Sequence, residues 1–126
     1  MLLRSLITAI LLATATALPV RAQGNVGSAL DDNLSRLSEI LGALHYLRGI
    51  CAGSEGNRWR AEMQSLIEAE GASPERKARM TASFNRGYSG YQQTYRTCTP
   101  AAEVAVRRYL DEGSKLAREV SARYSN

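Results

Sequence analysis

The chain reads as all-α: a disulfide-stapled bundle of about four helices, running up, down, up and down. Three observations predict this. Apolar residues recur at three- and four-residue steps nearly throughout, with no convincing strand alternation. A hydroxyl residue followed by proline stands at Ser73-Pro74 and again at Thr99-Pro100, the pattern of an N-cap and a first helical residue. The only two cysteines, Cys51 and Cys98, fall at the ends of predicted helices.

The first helix is predicted over Asp32 to Cys51. Leu30, Leu34, Leu37, Leu41, Leu44 and Leu47 form its stripe, widened by Ile40 and Ile50. Asp31 or Asp32 suits its N-cap. Gly42 inside it costs about 1 kcal/mol relative to alanine unless another helix approaches closely there. Gly49, Gly53 and Gly56 mark its end and the next loop. The second helix is predicted over Glu55 to Glu70, with Trp59, Met63, Leu66 and Ile67 facing inward. Gly71 suits the left-handed position just past its end.

The third helix is predicted over Pro74 to Thr97, with Thr81, Phe84, Tyr88, Tyr91 and Tyr95 as its stripe. Gly87 and Gly90 inside it predict a bend or fraying. The fourth covers Pro100 to Tyr124, with Val106, Tyr109, Leu116, Val120 and Tyr124 on one side. Acid-then-base pairs four residues apart occur at Asp32–Arg36, Glu75–Arg79, Glu103–Arg107, Asp111–Lys115 and Glu119–Arg123. Each is worth about 0.2–0.5 kcal/mol on an exposed helix, so much of the charge reads as a solvated face.

The N-terminus reads as an export signal over residues 1–22. Arg4 supplies the positive start, Leu6 to Leu18 an uncharged apolar run, and Val20-Arg21-Ala22 a cleavage box. That run is 13 residues long, short of the roughly 18 that a spanning helix needs. Residues 23–31 read as a flexible leader and 32–126 as one helical domain. The whole chain carries 16 Lys and Arg against 12 Asp and Glu. Arg4 and Arg21 leave with the signal, so 14 remain against 12, a net +2 that points away from nucleic acid.

Two cysteines in an exported domain pair more often than they stay free. An up-down-up-down order brings the ends of the first and third helices to one pole. A Cys51–Cys98 disulfide therefore fits the helix reading, and without a C-x-x-C pair it reads as structural.

The residues offer little chemistry. His45 is the only histidine, which leaves no good zinc set with two bridged cysteines. Met63 and Met80 could join His45 on a haem, but no C-x-x-C-H is present and Met63 fits a core stripe. Gly87-Tyr88-Ser89-Gly90 lacks both the spacing and the strand context of a nucleophile elbow. No catalytic, cofactor-binding or metal-binding residue is assigned, and no cofactor. The cluster that rises above the rest is aromatic and basic: Arg58, Trp59, Arg86 and Tyr88 are the candidate partner contacts. The tyrosine stripe reads first as the core of a leucine-poor helix, with a partner, glycan or peptide groove as the second reading.

Leu47-Arg48-Gly49-Ile50-Cys51, then Trp59-Arg60, Phe84-Asn85-Arg86-Gly87-Tyr88 and Tyr95-Arg96-Thr97-Cys98, together resemble a family of small exported alphaproteobacterial proteins of unknown function. The resemblance covers residues 34–124. It implies a periplasmic location and transfers no catalytic residue, substrate or cofactor. The reading is thus a periplasmic, non-enzymatic interaction or accessory protein of the cell envelope. It would meet an envelope protein or polymer, without nucleic acid and without stable membrane insertion after signal cleavage. A small-ligand carrier or enzyme using a pocket near His45 is the alternative, and a purely structural envelope protein is a third.

Overall fold

The structure, a computed structural model, describes residues 25–53 and 55–122. The predicted signal, the first leader residues, Tyr124 and the Glu119–Arg123 pair lie outside the described residues. Four helices follow in order: α1 (Asn25–Cys51), α2 (Arg58–Glu70), α3 (Pro74–Thr94) and α4 (Pro100–Ala122). They form the predicted helical bundle, with no strand among the described residues.

α1 is the central element, and α2, α3 and α4 all pack against it. Its leucine stripe explains this: Leu34, Ile40, Leu44 and Leu47 are sealed from water, and Leu30, Leu37 and Leu41 nearly so. Burying a leucine or isoleucine side chain is worth about 1.5–3 kcal/mol. Trp59 and Met63 from α2, Met80 and Phe84 from α3, and Val106, Tyr109 and Val120 from α4 close over it.

The helix ends follow local chemistry. Ser73 caps α3 by accepting the Arg76 amide at 3.1 Å, and Thr99 caps α4 by accepting the Ala102 amide at 3.1 Å. Gly53 and Gly56 take φ of 70° and 44° in the turn after α1, a region glycine enters at little cost. Gly71 is not left-handed, with φ −79°. Its need is steric, since a Cβ there would stand 2.6 Å from the Ile67 carbonyl oxygen.

Several predicted boundaries shift. α1 begins at Asn25, seven residues before the predicted start. Neither Asp31 nor Asp32 is a cap. Asp31 instead receives the Arg76 Nε–H at 2.8 Å and lies 3.3 Å from Arg79, tying α1 to the start of α3. α2 begins at Arg58, because Glu55 is drawn out of helical register to serve Arg48 and Trp59. α3 ends at Thr94: Tyr95 turns extended, and its carbonyl accepts the Tyr46 hydroxyl.

α3 also corrects the stripe. Its buried face is Met80, Ser83, Phe84 and Gly87, while Thr81 is exposed. The helix runs unbroken through Gly87 and Gly90. Gly87 is the point of closest approach to α1, so it holds the helix in place where a bend was expected. Gly42 does the same from the other side, against Phe84. Tyr88, Tyr91 and Tyr95 are half-buried, between core and surface.

Among the described residues, only Asp111–Lys115 of the predicted intrahelical pairs forms, at 3.1 Å. Arg36 reaches across to Glu112 with two bonds of 2.9 Å, and Arg79 reaches Asp31. An arginine long enough to bridge helices finds the partner that ties two elements together. The sulfurs of Cys51 and Cys98 meet at 2.19 Å, with the Cα atoms 4.8 Å apart. That places the end of α1 and the α3–α4 connection at one pole. No helix among the described residues is long and apolar enough to cross a membrane.

Candidate functional site

α2 and α4 flank α1 without meeting. No Cα of one lies within 8 Å of a Cα of the other. Between them runs a groove of about 490 Å³. Its floor is Leu37, Ile40, Leu41 and Leu44 of α1. The α2 wall runs from Arg58 to Ala69, and the α4 wall from Tyr109 to Ala117.

The walls differ in character. α4 presents Leu110, Gly113, Ser114 and Ala117, and Leu110 is one of two large apolar side chains exposed on the molecule's described surface. α2 presents Trp59, Ser65, Leu66 and Ala69, with Arg58 and Glu62 as the groove's charged residues. The lining holds no histidine, cysteine or lysine. The lining is mostly apolar, with Arg58, Glu62 and the two serines as its polar members.

The pole at the head of the groove is tightly tied. Glu55 accepts two bonds from Arg48, one of them 2.9 Å, and a third of 2.8 Å from the Trp59 indole N–H. Those donors hold its carboxyl down at about 2, with the Arg48 bond as the largest cause and the Trp59 bond adding to it. Arg58 lies over the Trp59 ring, 4.8 Å from its centroid, and 3.7 Å from Glu55. Arg48 and Cys51 share the last turn of α1 and secure the two walls separately: Arg48 through Glu55 to α2, Cys51 through Cys98 to α4.

Of the four predicted contact residues, the structure brings Arg58 and Trp59 together on the groove. Trp59 is 7% exposed and serves as wall and core at once. Arg86 and Tyr88 stand on α3 and do not line it. Arg86 is 3.1 Å from Glu39 of α1. The Tyr88 ring packs on His45 and edge-on against Tyr46, each with centroids 5.5 Å apart.

His45 is a packed residue. Its ring lies against Phe84 and Tyr88, and its Nδ1 is buried without a hydrogen-bond partner. Burial, then the charge of Arg60, lower its pKa and keep it neutral. It does not line the groove. Among the described residues, no three His, Cys, Asp or Glu side chains gather as a metal site.

The profile of one family, described as a protein of unknown function (DUF2385), matches residues 29–124. The chain belongs to the DUF2385 family. The likeness read from the residues around Cys51, Trp59, Phe84 and Cys98 therefore holds at the level of an uncharacterised family. No curated protein and no solved structure matches the chain. The family's matched span takes in all of α2, α3 and α4 and most of α1, and with them both walls and the floor of the groove.

Ser65, Ala69, Leu110, Gly113, Ser114 and Ala117 were not predicted as site residues. A signal existed for four of them. Ser65/Ala69 and Gly113/Ala117 are small-residue pairs at i,i+4, the spacing that puts two side chains on one helix face.

Proposed function

We propose that this DUF2385 chain is a non-enzymatic accessory protein of the cell envelope that docks an envelope partner in the groove between α2 and α4. The groove carries this reading. Its walls do not meet, its floor leucines are packed beneath them, and Ala69, Leu110 and Ala117 are exposed along its edges. A concave, mostly apolar surface between helices of a bundle is a common place for a partner or ligand to bind. Export supports the location: residues 1–22 have the make-up of a secretory signal, and the Cys51–Cys98 bridge belongs in an oxidising compartment. The packed, neutral His45 ring and the absence of an acid–base–nucleophile set from the groove lining weigh against an enzyme.

The test is site-specific photocrosslinking in cells. A photoreactive residue replaces Ser65 or Ser114 in the groove, or Gln92 on the exposed side of α3. The same envelope protein captured from both groove positions and not from Gln92, with the chain recovered in the periplasmic fraction after signal removal, is the expected outcome. Capture that is equal from all three positions, or a chain retained in the cytoplasm, overturns the reading.

A further inference from the structure

We infer that Tyr91 and Tyr109 form an oxidative cross-linking site, where a peroxide-driven one-electron oxidant joins α3 to α4 as an intramolecular dityrosine. The inference goes beyond the docking function and does not depend on it. Geometry, access and the spacing of the two helices carry it.

The described tyrosines make three ring contacts: Tyr46 with Tyr88, Tyr91 with Tyr95, and Tyr91 with Tyr109. Among the described residues, the hydroxyls meet only in the last pair, 2.5 Å apart. The two rings stand nearly perpendicular at 83°, with centroids 5.6 Å apart, so they converge at their hydroxyl ends. The unpaired electron of an oxidised phenol sits on the oxygen and on the ring carbons beside it. Those are the carbons that couple, and here they belong to the facing ends of both rings. The other contacts lack this arrangement. Tyr46 gives its hydroxyl to the Tyr95 carbonyl. The Tyr91 and Tyr95 rings lie parallel, with centroids 6.2 Å apart.

Access is divided between the partners. Tyr91 is half-buried and meets water, whereas Tyr109 is 8% exposed. The hydrogen bond lets the outer ring serve the inner one. The oxidant takes one electron from Tyr91, whose phenolic proton passes to water. Tyr109 then gives its hydroxyl hydrogen atom to the Tyr91 oxygen, which moves the radical inward and restores the Tyr91 phenol. A second oxidation of Tyr91 leaves two radicals side by side. One carbon–carbon bond forms between the positions beside the hydroxyls, and the hydrogens on those carbons move to the oxygens. The pair loses two electrons and two protons, and one hydrogen peroxide takes them up to become two waters. Holding the partners together makes the coupling unimolecular.

The bond would tie helices that nothing else holds closely. No Cα of α3 lies within 8 Å of a Cα of α4. The cross-link spans a separation of 18 residues, and it would keep α4 on α3 after reduction of Cys51–Cys98.

The experiment treats the full mature chain, its disulfide intact, with a haem peroxidase and hydrogen peroxide. Dityrosine fluorescence, denaturing gels and peptide mass are read together. The expected product is a monomer in which the peptides carrying Tyr91 and Tyr109 are joined and lighter by two hydrogens. Its yield per molecule should not change on dilution. Tyr91→Phe and Tyr109→Phe, each first shown to be folded, should abolish it, and Tyr88→Phe and Tyr95→Phe should leave it. With the disulfide reduced, the cross-linked protein should melt about 10 °C or more above the untreated chain.

Dityrosine at the wild-type level in folded Tyr91→Phe overturns the inference. So do cross-links that form only between molecules and fade on dilution, and a folded chain that yields no dityrosine at all.

Discussion

Gly87 of α3 lies against the carbonyl of Glu39 on α1: a methyl group in place of its hydrogen would stand 2.9 Å from that carbonyl carbon and closer still to the oxygen. Gly42 of α1 meets the Phe84 carbonyl in the same way. The two contacts are reciprocal, each helix offering a glycine to the other's backbone. Overpacking of this kind costs about 1–3 kcal/mol, occasionally more. Gly87→Ala is expected to lower stability by about 3 kcal/mol in chemical denaturation. Gly90→Ala, three residues on with nothing within 4 Å of its added Cβ, should raise it by about 0.5–1 kcal/mol through helix propensity alone. Equal effects at the two positions would show that the close crossing is absent in solution.

The bridge between Cys51 and Cys98 closes a separation of 47 residues. Chain entropy then gives about 4 kcal/mol. The Cys51→Ser, Cys98→Ser double variant is expected to melt about 15 °C or more below the oxidised protein. Reduced wild type should melt with the double variant. A Tm unaffected by reduction would remove this contribution.

Acid should act first through His45 and then through Glu55. The fold lowers the His45 pKa from 6.5, so the unfolded chain takes up its proton first, and stability falls as pH drops below 6.5. Glu55 is depressed from 4.5 to about 2, mainly by its bond from Arg48. Its contribution is full above pH 4.5 and is lost as pH falls toward 2. Denaturation midpoints measured across pH should show both limbs. His45→Phe should flatten the upper limb and Glu55→Gln the lower one. An unchanged lower limb in Glu55→Gln would mean that other carboxylates control acid unfolding.

Tyr91 and Tyr109 join α3 to α4 through hydroxyls 2.5 Å apart. Burial, then the bond to Tyr109, push the Tyr91 phenol up to about 12. Ultraviolet titration should therefore show a tyrosine that ionises late. Tyr91→Phe should abolish that late phase and cost about 1 kcal/mol, the net worth of one hydrogen bond. A late phase that persists in Tyr91→Phe would place it on another ring.

The helices, the caps Ser73 and Thr99 and the disulfide were legible because each rests on local or pairwise rules. Leucine spacing, Ser73-Pro74 and Thr99-Pro100, and two cysteines at matching ends need no knowledge of packing. The face of α3 was harder. Thr81, Phe84, Tyr88 and Tyr91 make a valid helical stripe, but the close side is centred on Gly87, which carries no hydrophobic signal. The register therefore reads nearly one residue away from the Met80, Phe84, Gly87 face. Charges misled for a related reason: Arg79 turns from Glu75 to Asp31 of α1, and Arg36 turns from Asp32 to Glu39 one turn on and to Glu112 of α4. The groove was half visible. Arg58 and Trp59 stand out as an aromatic–cation pair, whereas Ser65, Ala69 and Ala117 become a wall only when α2 and α4 are set apart on α1.

The disulfide also makes α2 and α3 part of a covalent ring, with most of α1 and all of α4 leaving it as two arms. A protease that cuts once inside the ring, at the Gly53–Asn57 turn or at Gly71-Ala72, opens the ring and releases nothing. Both fragments stay on one molecule, held through Cys51 and Cys98 and through the core around α1. The severed ends can be rejoined only by a ligase, but the bundle has no piece to lose. The cuts that shed material are those outside the ring, in either arm.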